Sequence, residues 1–322
     1  MNLEQSTVVV TGGAGLIGST TIDLLLRSSA PKRVVIFDDF SRGTHANIAA
    51  AMRDRRVSLV KGDIRDREAL ARVMEGADAV VHLAGLRITA CAAEPRTAFD
   101  VMCAGTYNVV EAAQQAGAQK IVAASTASVY GLAARFPTTE DHHTNDNRTW
   151  YGATKMMLEG LLRSFHDMYG LHYVALRYFN VYGPRMDTHG KYTEVMIRWM
   201  DRLDAGEPPL ILGDGLQTMD FVYVEDAARA NLLALASGVS DDVFNVGTGV
   251  ETSLNQLAAA LSRVMGVSIS PQYRPERKIN PVPRRLAGTE KAQRQLGFEA
   301  SVPLEEGLSR LVAWWRAERV RA

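Results

Sequence analysis

The sequence predicts an α/β fold, a doubly wound parallel sheet followed by a smaller C-terminal domain. Strand-like runs at Val8–Thr11, Val34–Asp38, Val57–Lys61, Ala79–Leu83, Lys120–Ser125 and Tyr173–Phe179 are mostly separated by helical stretches. Such alternation means parallel strands joined by crossover helices. The runs are apolar throughout rather than alternating, as in a sheet covered on both faces. The first of them breaks into glycines and then reads helical, the usual entry to such a fold.

That first stretch runs Thr7-Val8-Val9-Val10-Thr11-Gly12-Gly13-Ala14-Gly15-Leu16-Ile17-Gly18. Gly12, Gly15 and Gly18, with Gly13, let the backbone turn without a Cβ clash and leave bare amides for a diphosphate. The helix expected over Ser19–Ser28 turns the positive end of its dipole toward the same group. The second β run ends in Asp38-Asp39, and Asp38 follows Gly18 by about 20 residues, where a carboxylate meets an adenosine ribose. A carboxylate there repels a 2′-phosphate, so NAD is favoured over NADP.

Two further helices are expected at Arg67–Glu75 and Arg96–Ala116, the second opened by Pro95 and closed by Gly117. Past Asn180 the texture changes. Pro184, Pro208-Pro209, Pro271, Pro275, Pro281 and Pro283 cut the chain into shorter pieces. The division expected is therefore 1–179 for the dinucleotide-binding domain and 180–322 for the smaller one, with Val243–Val246 a buried-type strand that is a candidate to rejoin the sheet.

Composition narrows the class of partner. The chain has 322 residues, 47% hydrophobic and 22% charged, with 36 basic and 36 acidic side chains. That leaves ample core and no basic field for nucleic acid or anionic lipid, so small molecules are the expected partners. Cys91 and Cys103 match no metal or redox spacing and read as packed, reduced thiols, suiting the cytoplasm. There is no signal-like N-terminus, and no apolar run approaches the ~18–20 residues of a membrane span.

A second constellation, Tyr151-Gly152-Ala153-Thr154-Lys155, opens a helix continuing through Met156, Leu158, Leu161, Leu162 and Phe165. The i, i+4 spacing puts phenol and ammonium on one face. A phenol with a pKa near 10 is a poor base at neutral pH, and lowering it by roughly 3 units takes about 4 kcal/mol of preferential stabilisation of the phenolate. A neighbouring ammonium and a cationic nicotinamide are the expected sources. The fifth strand ends Ala124-Ser125-Thr126-Ala127-Ser128-Val129-Tyr130-Gly131, placing hydroxyls at the carboxyl edge of the sheet, and Thr126 is the candidate for the second proton-handling hydroxyl.

With Asp63-Ile64, His82-Leu83-Ala84-Gly85, Arg177-Tyr178-Phe179-Asn180-Val181-Tyr182-Gly183-Pro184-Arg185 and Phe244-Asn245-Val246-Gly247, these motifs form an ordered set over nearly the whole chain. The set resembles the extended short-chain dehydrogenase/reductase family, specifically its nucleotide-sugar epimerases and dehydratases of the UDP-glucose 4-epimerase type. The resemblance implies a Rossmann sheet holding NAD tightly, with Gly12, Gly15, Leu16, Ile17 and Gly18 at the diphosphate. Asp38 would meet the adenosine ribose, Asp63 and Ile64 the adenine, and Leu83 and Ala84 the cofactor cleft. Lys155 would hold the nicotinamide ribose, with Tyr178 near the carboxamide. It further implies Tyr151 as catalytic base with Thr126, a nucleotide sugar bound by Ser128 and, from the smaller, substrate-binding domain, by Asn180, Arg185 and Arg274, and a homodimer paired through the helices Arg96–Ala116 and Tyr151–Tyr169.

Departures from the pattern select within the family. Dehydratases place Asp-Glu directly after the catalytic Thr and uronate decarboxylases a Glu at position 128, whereas this chain has Ala127-Ser128. Reversible oxidation at one sugar carbon is left, which is 4-epimerisation of a UDP-hexose. A UDP-hexuronic acid stays open, because Thr126, Ser128 and Arg185 offer partners for a carboxylate. The rivals are an NAD-dependent dehydrogenase of another small alcohol and a non-catalytic NAD-binding regulator, the latter disfavoured by retention of both Tyr151 and Lys155. Met219 stands where relatives carry a phosphate-binding Arg, and Arg284 and Arg285 are the residues placed to compensate. Arg274 matches the distal substrate Arg, but Arg274-Pro275-Glu276-Arg277 lacks the usual Gly-Asp after the Pro. No metal site is expected. His142-His143 reads as a solvated loop, His82 as packing beside the cleft, and Trp314-Trp315 as packing of the C-terminal helix.

Overall fold

A computed structural model describes residues 1–188, 194–275 and 282–321. The chain runs β1 (Thr7–Thr11), α1 (Leu16–Ser28), β2 (Arg33–Asp38), α2 (His45–Ile48), β3 (Val57–Lys61), α3 (Arg67–Met74) and β4 (Ala79–His82). It continues through α4 (Ile88–Ala93), α5 (Pro95–Phe99), α6 (Thr106–Gln115), β5 (Lys120–Thr126), α7 (Trp150–Tyr169), β6 (His172–Tyr178) and β7 (Asn180–Tyr182). The remainder comprises α8 (Val195–Asp204), β8 (Leu210–Leu212), β9 (Thr218–Met219), β10 (Phe221–Tyr223), α9 (Val224–Ala236), β11 (Asp242–Val246), β12 (Thr252–Ser253), α10 (Leu254–Met265), β13 (Gln272–Arg274), α11 (Glu290–Leu296) and α12 (Leu304–Arg321).

Seven strands form one parallel sheet in the order β11-β6-β5-β4-β1-β2-β3. The order reverses between β1 and β4, so a crevice opens at the carboxyl ends of those two strands, where ligands of doubly wound sheets bind. Both faces are covered because the strands are apolar on both sides. Val8, Val10, Val34, Ile36, Val81 and Val122 pack toward α1 and α9. Val9, Val35, Val80 and Ile121 pack on the other face with residues of α3, α6 and α7. The candidate strand at 243–246 does rejoin the sheet as β11, paired with β6 from Asp242↔Val174 to Val246↔Tyr178. A third apolar cluster gathers Trp199, Met200, Leu257, Leu261, Leu311 and Trp315 from α8, α10 and α12, while Trp314 packs partly buried against it.

Two local expectations change. The helix foreseen over Arg96–Ala116 is α5 and α6 joined by a wide π-type turn at Asp100–Gly105, which sets Gly105 against Ile64: a Cβ on it would come within 2.7 Å of Ile64 Cγ1. Packing of this kind leaves no trace in hydrophobic periodicity. The pair His142-His143 is not jointly solvated. His142 is only 3% exposed, because both ring nitrogens find backbone partners: Nε2 accepts the Ala134 N–H at 3.1 Å and Nδ1 donates to the His143 carbonyl at 2.8 Å. A ring so satisfied loses little by leaving water. Glu276, Arg277 and Pro281 lie outside the described residues.

Candidate active site

The glycine turn leaves β1 at Gly12, whose φ of +69° suits glycine and where an added Cβ would sit 2.6 Å from the Ala84 backbone nitrogen. A Cβ on Gly18 would fall 2.3 Å from the Gly12 carbonyl oxygen. The turn is thereby pressed against the end of β4, with Leu83 N–H donating to Thr11 O at 3.0 Å. Gly15 is the N-cap of α1, no side chain caps the helix, and its first turn, which includes Leu16 and Ile17, has no acidic residue. The positive end of α1 is thus free for an anion, and the donor set fits the diphosphate of NAD. Asp38 closes the other side. Its Oδ2 accepts the Ala14 N–H at 2.9 Å and its Oδ1 the Phe40 N–H at 2.8 Å, so the carboxylate is fixed beside the turn, while burial pushes its pKa up.

The next candidates are more committed to the protein than their sequence positions suggest. Asp63 is held by Arg65 in an ion pair of 2.5 Å, which keeps its carboxyl below the usual range. Ile64 is buried beside Gly105. Tyr178 is buried too, and its hydroxyl donates to Asn231 Oδ1 at 2.6 Å. Any contact Tyr178 makes with a nicotinamide must then come from its ring or backbone, not its hydroxyl.

Tyr151, one turn before Lys155 on α7, lies at the carboxyl end of β5. Thr126 Oγ1 accepts the Ser128 N–H at 3.1 Å, which leaves its own proton to donate to the Tyr151 oxygen. Burial raises the phenol's pKa, and that hydrogen bond works against the rise. The expected ammonium is turned elsewhere: Lys155 Nζ donates to the Ala124 carbonyl at 2.7 Å, and burial lowers its own pKa to about 8. The cations that act most on the phenol are Arg285 and Arg42. Cys91 packs against Tyr151 in a small apolar cluster, its thiol pushed up to about 11 by burial, so it is no nucleophile.

His82, at the end of β4 and 1% exposed, lies between Thr11 Oγ1 at 2.7 Å and Thr106 Oγ1 at 3.2 Å. Burial, and secondarily Lys155, lowers its pKa from 6.5 to about 3. The unfolded chain therefore takes up a proton below pH 6.5 that the folded protein refuses until about 3, and each unit of acidification in that window removes about 1.4 kcal/mol of stability. His82→Gln should accordingly lose about 2 kcal/mol less stability than the parent between about pH 7 and pH 5. Parallel urea titrations at the two pH values check this, and equal losses would show that His82 titrates normally.

Among the substrate candidates, Ser128 is buried under Thr126, and Asn180 donates from Nδ2 to the Asp220 carbonyl at 3.1 Å, leaving its own carbonyl oxygen available. Arg185 does not stand open in the cleft. It pairs with Asp23 of α1 at 2.6 Å, with its Nη1 buried and unpartnered and its φ at +75°. Arg274 lies on β13 with an exposed side chain, and no described contact joins it to Tyr151. Of the two arginines placed to compensate for Met219, Arg284 is taken by Glu251 in a two-pronged pair at 2.7 and 2.8 Å, while Arg285 faces the phenol.

Sequence reasoning assigned no role to two supports of the site. Glu159, a turn beyond Lys155, accepts the Ser125 hydroxyl at 2.5 Å and two Arg177 nitrogens at 2.9 and 2.7 Å, and Arg177 Nη1 donates to the Tyr130 hydroxyl at 2.9 Å. The i, i+4 spacing of Lys155 and Glu159 was the available signal. Asp220 is fully buried and clamps two segments, accepting the N–H groups of Thr248 at 2.8 Å, Gly249 at 2.9 Å and Ala287 at 3.3 Å.

A family model described as the NAD dependent epimerase/dehydratase family matches residues 8–247. The chain belongs to that family. It is 36% identical over 311 residues to the UDP-glucose 4-epimerase of Mycolicibacterium smegmatis, covering 96% of this chain and 98% of that one. A crystal structure of the Thermotoga maritima UDP-glucose 4-epimerase with UDP-glucose superposes with a TM-score of 0.90 at 35% identity, covering 97% of this chain and 99% of the other. The UDP-glucuronic acid 4-epimerase of Bacillus cereus, in complex with UDP-glucuronic acid and NAD, superposes at 0.86 with 27% identity, over 97% and 99% of the two chains. Among the described residues, no cluster of three or more His, Cys, Asp or Glu is placed to hold a metal, and no helix is long and apolar enough to cross a membrane.

Proposed function

We propose that this protein is an NAD-dependent nucleotide-sugar epimerase that inverts C4 of a UDP-linked hexose. The observation that carries the reading is the Tyr151 phenol hydrogen-bonded to Thr126 at the crevice edge, with the uncapped helix α1 opening on the same crevice. Gly12, Gly15, Leu16, Ile17, Gly18 and Asp38 would hold the dinucleotide, with Asp63, Ile64, Leu83, Ala84 and Tyr178 along its length and Lys155 at the nicotinamide ribose. NAD, when bound, supplies hydride exchange at the sugar carbon. Tyr151 takes the proton of the 4-hydroxyl as that carbon is oxidised and returns it after the ketose has turned over. Thr126 favours the phenolate that precedes this transfer, and Tyr151 holds the proton as a neutral phenol in the interval. Ala127 and Ser128 offer no carboxyl group for elimination or decarboxylation. Residues 180–322 would supply most nucleotide-sugar contacts.

The test is to incubate the purified protein with UDP-, dTDP- and GDP-sugars without added cofactor and look for a stereoisomer of unchanged mass. Net accumulation of NADH would instead identify a dehydrogenase. We further infer a homodimer. Phe99, Tyr107, Trp150 and Met157, all exposed, line one apolar groove along α5, α6 and α7, the kind of surface that marks an interface. Sedimentation at the mass of a monomer would remove that part. The buried, unpaired Cys91 and Cys103 suit the cytoplasm.

A further inference from the structure

Three guanidinium groups cluster near the Tyr151 end of the crevice. Arg42 lies 4.0 Å from Asp187, and Arg87 lies 3.2 Å from Glu194. Arg285 has no ion-pair partner among the described residues, although burial lowers its pKa to about 10. The backbone explains its direction. The Arg285 N–H donates to the Thr218 carbonyl at 3.0 Å, and the Leu286 carbonyl accepts the Thr138 N–H at 2.8 Å, so the segment is extended and its neighbouring side chains point to opposite faces. Arg284 points outward, stacked 4.5 Å over Phe136 and gripped by Glu251. Arg285 points inward, toward the phenol, and Asp220 fixes the strand just beyond it through Ala287 N–H.

Arg285 is partly buried and has no counterion among the described residues, an arrangement that costs least when an anion arrives with the ligand. The place of that anion follows from the phenol. In a pyranose the group on C5 is adjacent to the C4 hydroxyl that Tyr151 would deprotonate, whereas the phosphate on O1 lies across the ring. Building on the epimerase reading above, we propose that Arg285 is a specificity-determining residue that binds the C5 carboxylate of the substrate, and that the preferred substrate is a UDP-linked hexuronic acid. The step itself needs no new chemistry. Arg285 donates hydrogen bonds to the carboxylate and no bond is made or broken there.

The experiment compares UDP-glucuronic acid with UDP-glucose on the NAD-loaded parent, Arg285→Gln and Arg285→Lys. The parent should have the higher kcat/KM on UDP-glucuronic acid. Arg285→Gln should lower the ratio of the two kcat/KM values by about 10- to 100-fold, chiefly through KM, the scale of one charge-assisted hydrogen bond. Arg285→Lys, which keeps the charge, should recover part of that ratio. Calorimetric titration of UDP-glucuronic acid into the loaded Gln variant should show the same loss of affinity. Equal losses on both sugars would place Arg285 at the diphosphate, and an unchanged ratio with a displaced pH profile would make it a group that tunes the phenol. Either result, or a parent that epimerises only UDP-glucose, overturns the proposal and leaves the epimerase reading standing. A parent that epimerises no nucleotide sugar removes both.

Discussion

Tyr151→Phe is expected to leave NAD bound and to lower turnover by at least about 10²-fold, the lower end for losing a general base. The ring itself should keep its place, because it packs against the apolar cluster of Cys91, Ala98 and Met102, and that contact needs no hydroxyl. Thr126 loses its acceptor but keeps the Ser128 N–H, so the turn after β5 should hold. Cofactor retention is measured from nucleotide released on denaturation, and turnover from the rate of epimer formation. A variant turning over at the parent rate would refute the role assigned to the phenol. One that also loses NAD would show that the hydroxyl holds the cofactor site together rather than moving a proton.

The largest effect on stability is expected at Arg177. The residue is 5% exposed, paired with Glu159 at 2.7 Å, and stacked 4.8 Å over the Tyr130 ring. Tyr130 in turn donates to Asn245 Oδ1 at 2.7 Å, so the network joins β5, β6, β11 and α7 beneath the site. Arg177→Met would strand a buried carboxylate, and about 3–5 kcal/mol should be lost. The paired variant Arg177→Met/Glu159→Gln should be less damaging than Arg177→Met alone, because removing both charges leaves neither buried without a partner. Urea midpoints of the parent and the three variants measure this. If the double variant loses the sum of the two single losses, the pair is not a coupled buried unit.

The strands of the parallel sheet were readable because each is a mostly apolar run, whereas their order in space came only from the structure. The boundaries foreseen for the first six strands fall within one residue of those observed. Tyr151 and Lys155 were readable as a pair because helical spacing alone puts i and i+4 on one face. Their partners were not readable. The ammonium of Lys155 bonds the carbonyl of Ala124, a residue 31 positions away in sequence, and Arg285 reaches the phenol only because Thr218 and Thr138 hold its strand from two sides.

Local pattern therefore settled the parallel sheet, the glycine turn, the phenol with its lysine, and the acidic residue ending β2. All of these depend on residues within a turn or a strand of one another. Folding in three dimensions set which charges are neutralised and which are not: Arg185 on Asp23, Arg284 on Glu251, Arg177 on Glu159, and Arg285 left facing the crevice. Ion pairing falls off over a few ångströms, and those distances are set by segments far apart in the chain, so spacing along the sequence carries no record of them.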